Sequence, residues 1–437
     1  MLRGRCSAVL GMVLMLATSQ AEAREVGLFV EGRIGGDSNV LRSGQEKVED
    51  GFFEISPRIS LSEKHRQFNY DIAYRPTFRT FAETEDIDGL DHLARGNGTW
   101  RVTPLDALSF SFRYSNQRQL RAEQILDDSG QFFPEPSDRS RLRRTNAQLR
   151  YSRQLTPDWS AFLAADVDDF DPTPDGRRSQ ADTRAYSLRG GGDHAFDEKT
   201  SAGFSLAGRF RDTRVQRFDF NETDAPDVTS DLIDPREDRR VPSSKTLTWD
   251  LSFNLSRQIS ETMRVSVQVG PSFISTKLVP DIFFRRDAAL PDGDDTIYDQ
   301  QTSIFAGASF DKRWSKSRFT ANYSRSEFRG GFTTSATISD DVTVRGVHEW
   351  NRRLVSRLDL GWNRRVQIVD VPGLNNLDTT QWRAVLVNTY RINRKLSLIG
   401  QYAFLTQDID GGVNSPGVGD THTGFLSLRY TFDPIIF

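Results

Sequence analysis

The chain has 437 residues, with 57 Lys and Arg against 60 Asp and Glu, and Cys6 is its single cysteine. This near balance of charge gives no case for a nucleic-acid partner, and one cysteine excludes a domain held by disulfides. No segment of residues 24–437 approaches the roughly 18 consecutive apolar residues of a membrane-spanning helix, although a barrel whose strands half face water would also have low hydropathy.

Residues 1–23 predict a secretory signal peptide. Arg3 and Arg5 make a basic start, Ala8–Ala17 is an apolar run, and Ala21–Ala23 is a small-residue cleavage site. We therefore expect residues 24–437 to form one exported domain, which contains no cysteine.

From residue 24 onward, apolar and polar residues alternate with the period of two that predicts β-strands. The clearest case is the stretch Lys245–Phe273, which predicts two strands around a polar turn at Ser260–Thr262. The fourth segment is the weakest, because glycines stand where bulky residues are expected. Eighteen segments alternate: Val26–Ile34, Phe53–Leu61, Phe68–Phe78, His92–Val102, Leu108–Tyr114, Thr145–Tyr151, Trp159–Val167, Tyr186–Phe196, Ala202–Phe210, Leu247–Leu255, Met263–Phe273, Thr302–Phe310, Phe319–Tyr323, Val342–Trp350, Leu354–Trp362, Trp382–Ile392, Leu396–Phe404 and Leu426–Phe432.

The alternation alone allows a soluble sandwich or a membrane barrel with its apolar face outward. The lengths of the connections favour the barrel, because each even-to-odd join is a few residues while most odd-to-even joins are long and polar, as in bacterial outer-membrane barrels. The prediction is an all-β, antiparallel, up-and-down transmembrane barrel of about 18 strands, with 16 as the alternative. Its short turns are expected in the periplasm and its long loops outside the cell.

Tryptophans give a second indication of a bacterial outer-membrane location. They sort into two groups at opposite strand ends, which is typical of aromatic girdles at the two water–lipid interfaces. Near the short turns lie Trp100, Trp159, Trp314 and Trp350, and toward the long loops lie Trp249, Trp362 and Trp382.

If the apolar face meets lipid, the polar face lines the lumen. Arginines outnumber acids on that face, with the excess on the second to sixth strands, and this favours a channel for anionic solutes. The alternative is that these arginines pair with lumen acids and only hold the barrel's shape. The candidate pore-lining residues are Arg58, Arg75, Arg79, Arg95, Arg101, Arg113, Arg150, Arg264, Arg357, Asp71, Asp166 and Asp250.

The sequence shows no constellation for catalysis, and we expect no enzyme activity, metal or cofactor. The five histidines lack metal-ligand spacing, and no G-x-S-x-G, H-E-x-x-H or P-loop motif occurs. The acidic loop Asp287–Asp299 has the ligands for a divalent cation, but solvated carboxylates are the commoner case.

The stretch Gly36–Arg42 reads G-D-S-N-V-L-R and resembles the "D-S-N-V-x-R" stretch near the start of the β-barrel porin 2 family, whose members often accompany exopolysaccharide or capsule export genes. The resemblance implies an outer-membrane barrel tied to polysaccharide export. Expected partners are outer-membrane lipid, lipopolysaccharide and the barrel-assembly machinery, with periplasmic polysaccharide-export proteins as further candidates.

Three alternatives stay open at this point: a general or nutrient-uptake porin, an outer-membrane enzyme using loop Ser and Asp with His422, and a purely structural barrel. The end of the last strand is also open, since Asp433-Pro434 interrupts the alternation and proline cannot donate to a ladder. Either the strand ends at Phe432, or a bulge brings Phe437 back into register.

Overall fold

The computed structural model describes residues 24–40, 48–84, 88–117, 141–173, 181–215, 243–279, 297–327, 337–367, 378–410 and 420–436. The predicted signal peptide, the residues Leu41 and Arg42 of the family-like stretch, most of the acidic loop and Phe437 lie outside these ranges. Within them, no helix is long and apolar enough to cross a membrane.

The described chain consists of β-strands. In chain order they are β1 (Arg24–Asp37), β2 (Asp50–Lys64), β3 (Phe68–Phe81), β4 (Gly89–Arg101), β5 (Asp106–Gln117), β6 (Arg141–Gln154), β7 (Trp159–Thr173), β8 (Ala181–Ala195), β9 (Thr200–Val215), β10 (Ser243–Ser260), β11 (Met263–Val279), β12 (Ile297–Arg313), β13 (Ser317–Glu327), β14 (Thr337–Glu349), β15 (Leu354–Gln367), β16 (Asp378–Arg391), β17 (Leu396–Asp410), β18 (Thr421–Thr431) and the short β19 (Ile435–Ile436).

Each long strand pairs antiparallel with the strands before and after it, and β1 pairs with β18 from Phe29↔Thr431 to Asp37↔Thr423. This last ladder closes the sheet into an 18-stranded barrel, as predicted, and the 16-stranded alternative is wrong. Closure removes the open edges that hydrocarbon would not tolerate. The even-to-odd joins are tight turns that all lie at one end, here called the short-turn end; the opposite end is the long-loop end.

The apolar face of the sheet points outward. Leu251 is 36% exposed and Val267 45% exposed, while the alternating residues Thr248 and Ser252 are buried. A sandwich with a packed apolar core would show the reverse, so that alternative is wrong. Both groups of tryptophans lie on this outer face, and Trp362 and Trp382 have ring centroids 6.2 Å apart.

Most strands run further than the predicted apolar segments. The predicted segment Leu247–Leu255 is the centre of β10, which spans 18 residues and still pairs with β11 at Ser243↔Val279. A ladder is held by backbone hydrogen bonds and does not need apolar side chains. The polar ends of the strands therefore extend the barrel wall beyond its apolar band.

The glycines of β4 are covered by aromatic rings of β5. Gly96 is opposite Phe112 and Gly98 is opposite Phe110 in the ladder. A Cβ placed on either glycine would lie 2.3 Å and 2.5 Å, respectively, from the facing ring. The rings fill the outer surface that β4 leaves open, which is how aromatic residues rescue glycine in a sheet.

The last strand is interrupted at the predicted place, and Phe437, on which the second predicted ending depends, lies outside the described residues. β18 ends at Thr431, and the N–H of Phe432 donates to the Leu28 carbonyl at 3.0 Å. Pro434 has no N–H, so the ladder breaks there and resumes where Ile435 and Ile436 pair with β1.

Candidate functional site: the inner wall of the barrel

All twelve predicted pore-lining residues occupy the strand positions whose side chains point toward the lumen. Arg79 is buried, whereas Arg58, Arg75, Arg113, Asp71, Asp166 and Asp250 are half-buried, and Arg95, Arg101, Arg150, Arg264 and Arg357 are exposed. Their neighbourhoods differ, and the differences define four features of the wall. That these residues line a conducting pore remains a prediction.

The first feature, here called the seam chain, is a line of alternating charges across the strands that close the barrel. Its members are Arg429 on β18, Glu31 and Arg33 on β1, Glu54 on β2, Arg79 on β3 and Asp91 on β4.

The seam chain is tightly bonded. Arg429 Nε lies 2.9 Å from Glu31 Oε2 and Arg33 Nε lies 2.6 Å from Glu31 Oε1. Arg79 Nε lies 2.7 Å from Glu54 Oε1, and its Nη2 lies 3.2 Å from Asp91 Oδ2. The side chains of Glu31 and Glu54 are each only 1% exposed. Arg79 is thus paired with two acids, which is the arrangement that the structural alternative predicts.

The second feature is an ion cluster that joins strands far apart along the wall. Glu327 at the end of β13 accepts hydrogen bonds from Arg211 of β9 and Thr248 of β10, both at 2.5 Å. Arg209 Nη1 lies 3.5 Å from the same carboxylate.

Strand pairing explains how Glu327 reaches β9 and β10. The described ladder between β12 and β13 stops at Ala306↔Arg325. The remaining part of β12, from Phe305 back to Ile297, still pairs with β11 on its other side. Beyond Arg325 the end of β13 leaves β12 and lies inside the barrel at the long-loop end.

The third feature is a basic arc on the inner faces of β2–β6. Arginines outnumber acids there, and Arg95 of β4 lies directly opposite Arg113 of β5 in the ladder. The guanidinium of Arg150 sits 4.0 Å above the ring centroid of Phe162. On this arc the arginines are Arg58, Arg75, Arg79, Arg95, Arg101, Arg113, Arg144 and Arg150, and the acids are Asp50, Glu54, Asp71 and Asp91. Eight arginines against four acids leave this arc net positive, although Arg79 and Arg144 are each paired with an acid.

The fourth feature is a cavity of about 890 Å³ along β10–β15 near the short-turn end, here called the vestibule. Its wall combines hydroxyl and carboxamide groups with three arginines, two aspartates and several apolar side chains. The lining includes Asn254, Gln268, Thr320, Asn322, Arg318, Arg345 and Arg357.

The family-like stretch forms a buried turn and contributes to closure. The backbone N–H of Asn39 donates to Asp37 Oδ1 at 2.9 Å, and Thr423 Oγ1 donates to Asp37 Oδ2 at 3.0 Å. Val40 is 1% exposed and packs with Phe52, Phe81 and Phe425. These residues fasten β1 to β18 at the long-loop end.

The described histidines of the strands lie on the outer register and stack with aromatic residues. His194 lies 4.5 Å from Trp159 between ring centroids, and His422 Nδ1 lies 2.7 Å from the Tyr402 hydroxyl. The ring of His422 therefore contacts Tyr402 and Phe404 on the outer face near the long-loop end. In the described parts of the chain, no group of three or more His, Cys, Asp or Glu could hold a metal ion.

Several charged residues of these features lie beyond the predicted segments. Asp91, Arg318 and Glu327 fall just outside the predicted strands His92–Val102 and Phe319–Tyr323. Asp91 and Arg318 each precede the first residue of a predicted segment. Extending the alternation by one residue at the start of these segments would have included them. Glu327 carries no such signal, because its inward position depends on where β13 leaves β12.

No family model and no curated protein matches the sequence. Among solved structures, the ferric citrate transporter FecA in its unliganded form aligns with a TM-score of 0.50 at 10% identity, covering 92% of this chain and 64% of that chain. The ferric-catecholate import receptor Fiu of E. coli K12 gives 0.48 at 8% identity, covering 93% and 81%. The outer membrane protein OpdK of Pseudomonas aeruginosa gives 0.42 at 11% identity, covering 95% and 100%. The likeness to FecA shows that this chain has the fold of bacterial outer-membrane barrels, and the chain spans less than two thirds of that protein's length.

Proposed function

We propose that this protein is a bacterial outer-membrane channel that takes part in the export of an exopolysaccharide or capsular polysaccharide, with a lumen that mildly favours anions. The observation that carries the channel is the closed 18-stranded wall with its apolar face outward and charged face inward. A barrel of this strand number is wide enough to enclose water. In the membrane the short-turn end faces the periplasm, and the basic arc supplies the anion preference.

The export role rests on the resemblance at Gly36–Arg42 and is supported by the vestibule. A cavity lined with hydroxyl and carboxamide groups at the periplasmic end suits a polyhydroxylated chain that enters from the periplasm. Outer-membrane lipid would cover the apolar face, lipopolysaccharide would meet the long-loop end, and the barrel-assembly machinery would insert the chain.

A deletion strain tests the export role. Loss of surface polysaccharide, restored by the wild-type gene on a plasmid, is the expected result. Unchanged surface polysaccharide together with slower uptake of a small anion would establish the nutrient-porin alternative instead.

Planar bilayers test the channel itself. The purified barrel should conduct, and its reversal potential in a salt gradient should show a modest preference for anions. A protein that folds but does not conduct would favour a structural barrel, and cation selectivity would contradict the role of the basic arc.

A further inference from the structure

Two arginines of the vestibule share one buried carboxylate. Arg345 on β14 lies directly opposite Asp359 on β15, and its Nε is 2.5 Å from Asp359 Oδ1. Arg357 Nε is 2.8 Å from Asp359 Oδ2. The Asp359 side chain is 5% exposed, whereas those of Arg345 and Arg357 are 53% and 46% exposed. The carboxylate fixes both guanidiniums through Nε, and their terminal amino groups remain available to a ligand.

A third guanidinium stands beside this pair. Arg318 of β13 and Arg357 of β15 flank Val347 of β14 in the two ladders. Arg318 Nη2 is 2.6 Å from Asp311 Oδ2, which fixes its position. Neighbouring strands are about 4.8 Å apart, so the three guanidiniums lie within reach of a single bound chain. Among the residues that line the cavity, three arginines face two carboxylates, Asp341 and Asp359, so the lining carries one net positive charge.

The rest of the cavity is built from neutral groups. Side chains such as Ser266, Gln268, Thr320 and Asn322 both donate and accept hydrogen bonds. Sugar hydroxyls have the same dual character, while a planar carboxylate matches the paired N–H groups of a guanidinium. A ligand that satisfies the whole wall must carry both kinds of group.

We propose that the vestibule is a binding site for a carboxylated oligosaccharide, with Arg345 and Arg357 holding a carboxylate while Thr320 and Asn322 hold hydroxyls of the same chain. The site faces β2–β6 from the other side of the lumen and is separate from the basic arc. The inference rests on the proposed function in one respect, the identification of the ligand as a sugar polymer.

Calorimetric titration of the folded barrel in detergent micelles tests the site without requiring conduction. The probes are trigalacturonate, the neutral sugar maltotriose and inorganic phosphate. Trigalacturonate should bind more tightly than either of the others. The R345Q/R357Q variant should weaken it by about tenfold or more, the loss expected when hydrogen bonds to a charged group are removed.

Two further variants sharpen the test. R352Q removes one positive charge from the adjacent turn, outside the vestibule, and should bind trigalacturonate like the wild type. N322A should weaken trigalacturonate but leave phosphate unaffected. Should R345Q/R357Q not fold, R345K/R357K keeps the charge and loses the paired geometry, and it should still bind more weakly than the wild type.

Equal affinity of trigalacturonate for the wild type and a folded R345Q/R357Q or R345K/R357K would overturn the site. Phosphate binding as tightly as trigalacturonate would reduce it to a general anion site and overturn the sugar assignment. If the barrel binds trigalacturonate but does not conduct, and its deletion does not change surface polysaccharide, the binding site is supported and the proposed function is contradicted.

Discussion

The two halves of the lumen wall use charged side chains in opposite ways. Toward the long-loop end, the carboxylates of Glu54 and Glu327 are almost completely buried, and each lies against an arginine. Toward the short-turn end, Arg345 and Arg357 keep about half of their surface exposed even though both contact Asp359. The arginine of such a pair is therefore buried in one half of the wall and about half exposed in the other, here called the open half.

The contrast indicates what each half contributes. A buried charge is tolerated only when its partners are complete, so the long-loop half gains a fixed arrangement of strands from its ion pairs. An exposed ion pair contributes little to stability and remains free to meet a solute. We therefore expect substitutions in the long-loop half to affect folding, and substitutions in the short-turn half to affect selectivity and binding.

The largest expected effect comes from breaking the seam chain with Arg79→Met. Glu54 and Asp91 would keep their negative charges with one cation fewer, although their side chains are only 1% and 6% exposed. The free energy of unfolding should fall by about 3–5 kcal/mol, the usual cost of removing one member of a buried ion pair. Urea unfolding in lipid vesicles, monitored by tryptophan fluorescence, measures this free energy of unfolding.

The matched control is Arg357→Gln in the open half, where a loss of about 1 kcal/mol or less is expected. Equal losses at the two positions would remove the distinction between the halves.

The second prediction concerns the inward end of β13. Glu327→Gln keeps the shape of the side chain but leaves Arg209 and Arg211 without their shared counter-charge. The free energy of unfolding should fall by about 2–3 kcal/mol, since the amide still accepts hydrogen bonds. The end of β13 should also loosen, so single-channel conductance should rise.

Ser326→Ala, one residue earlier on the same strand end, serves as the control and should change neither quantity. Conductance that stays at the wild-type value in folded Glu327→Gln would show that the end of β13 does not limit the lumen.

The third prediction tests the basic arc on the inner faces of β2–β6. Arg95 and Arg113 are directly opposite each other, so replacing both with glutamine removes two like charges from one place. The anion preference measured by reversal potential should drop, because the local concentration of anions follows the sign of the wall. The R95K/R113K variant keeps the charge and should retain the preference, and an unchanged reversal potential in R95Q/R113Q would assign the preference elsewhere.

Much of the fold could be predicted because it depends on local pattern. The alternation around Leu251 and Val267 identified the outward face, and the short turn at Ser260–Thr262 joined the right strands. The weak fourth strand was also found, although its rescue by Phe110 and Phe112 needs the partner strand to be known. The interruption at Pro434 was recognised, but its outcome depends on β1, which lies at the other end of the sequence.

The functional wall was less predictable, for a physical reason. Alternation shows that Arg79 and Arg357 both point inward, but it contains no information on how close the opposite wall or the next carboxylate lies. Glu54 is buried because closure of the barrel brings charged side chains of β18 and β1–β4 together. The position of Glu327 depends on where β13 separates from β12. Such contacts are set by the closed barrel as a whole.

The smallest expected effect lies outside both halves, in the turn between β8 and β9. The backbone N–H groups of Lys199 and Thr200 each donate to Asp197 Oδ1 at 2.6 Å, and the first of these is the main reason that the pKa of Asp197 lies below its usual value. A lowered pKa in the folded state means that the stabilisation is complete above the unfolded value of about 3.9 and is lost as pH falls through the folded value.

Asp197→Ala should therefore destabilise the barrel slightly at neutral pH, and the difference from the wild type should vanish in acid. Glu198→Ala, at the next residue, removes a carboxylate for which the structure describes no such hydrogen bonds, and its free energy of unfolding at neutral pH should stay close to that of the wild type. Because the turn contacts neither the seam chain nor the vestibule, single-channel conductance should be the same in both variants. A change in conductance with Asp197→Ala would mean that the short turns help to shape the open half of the lumen.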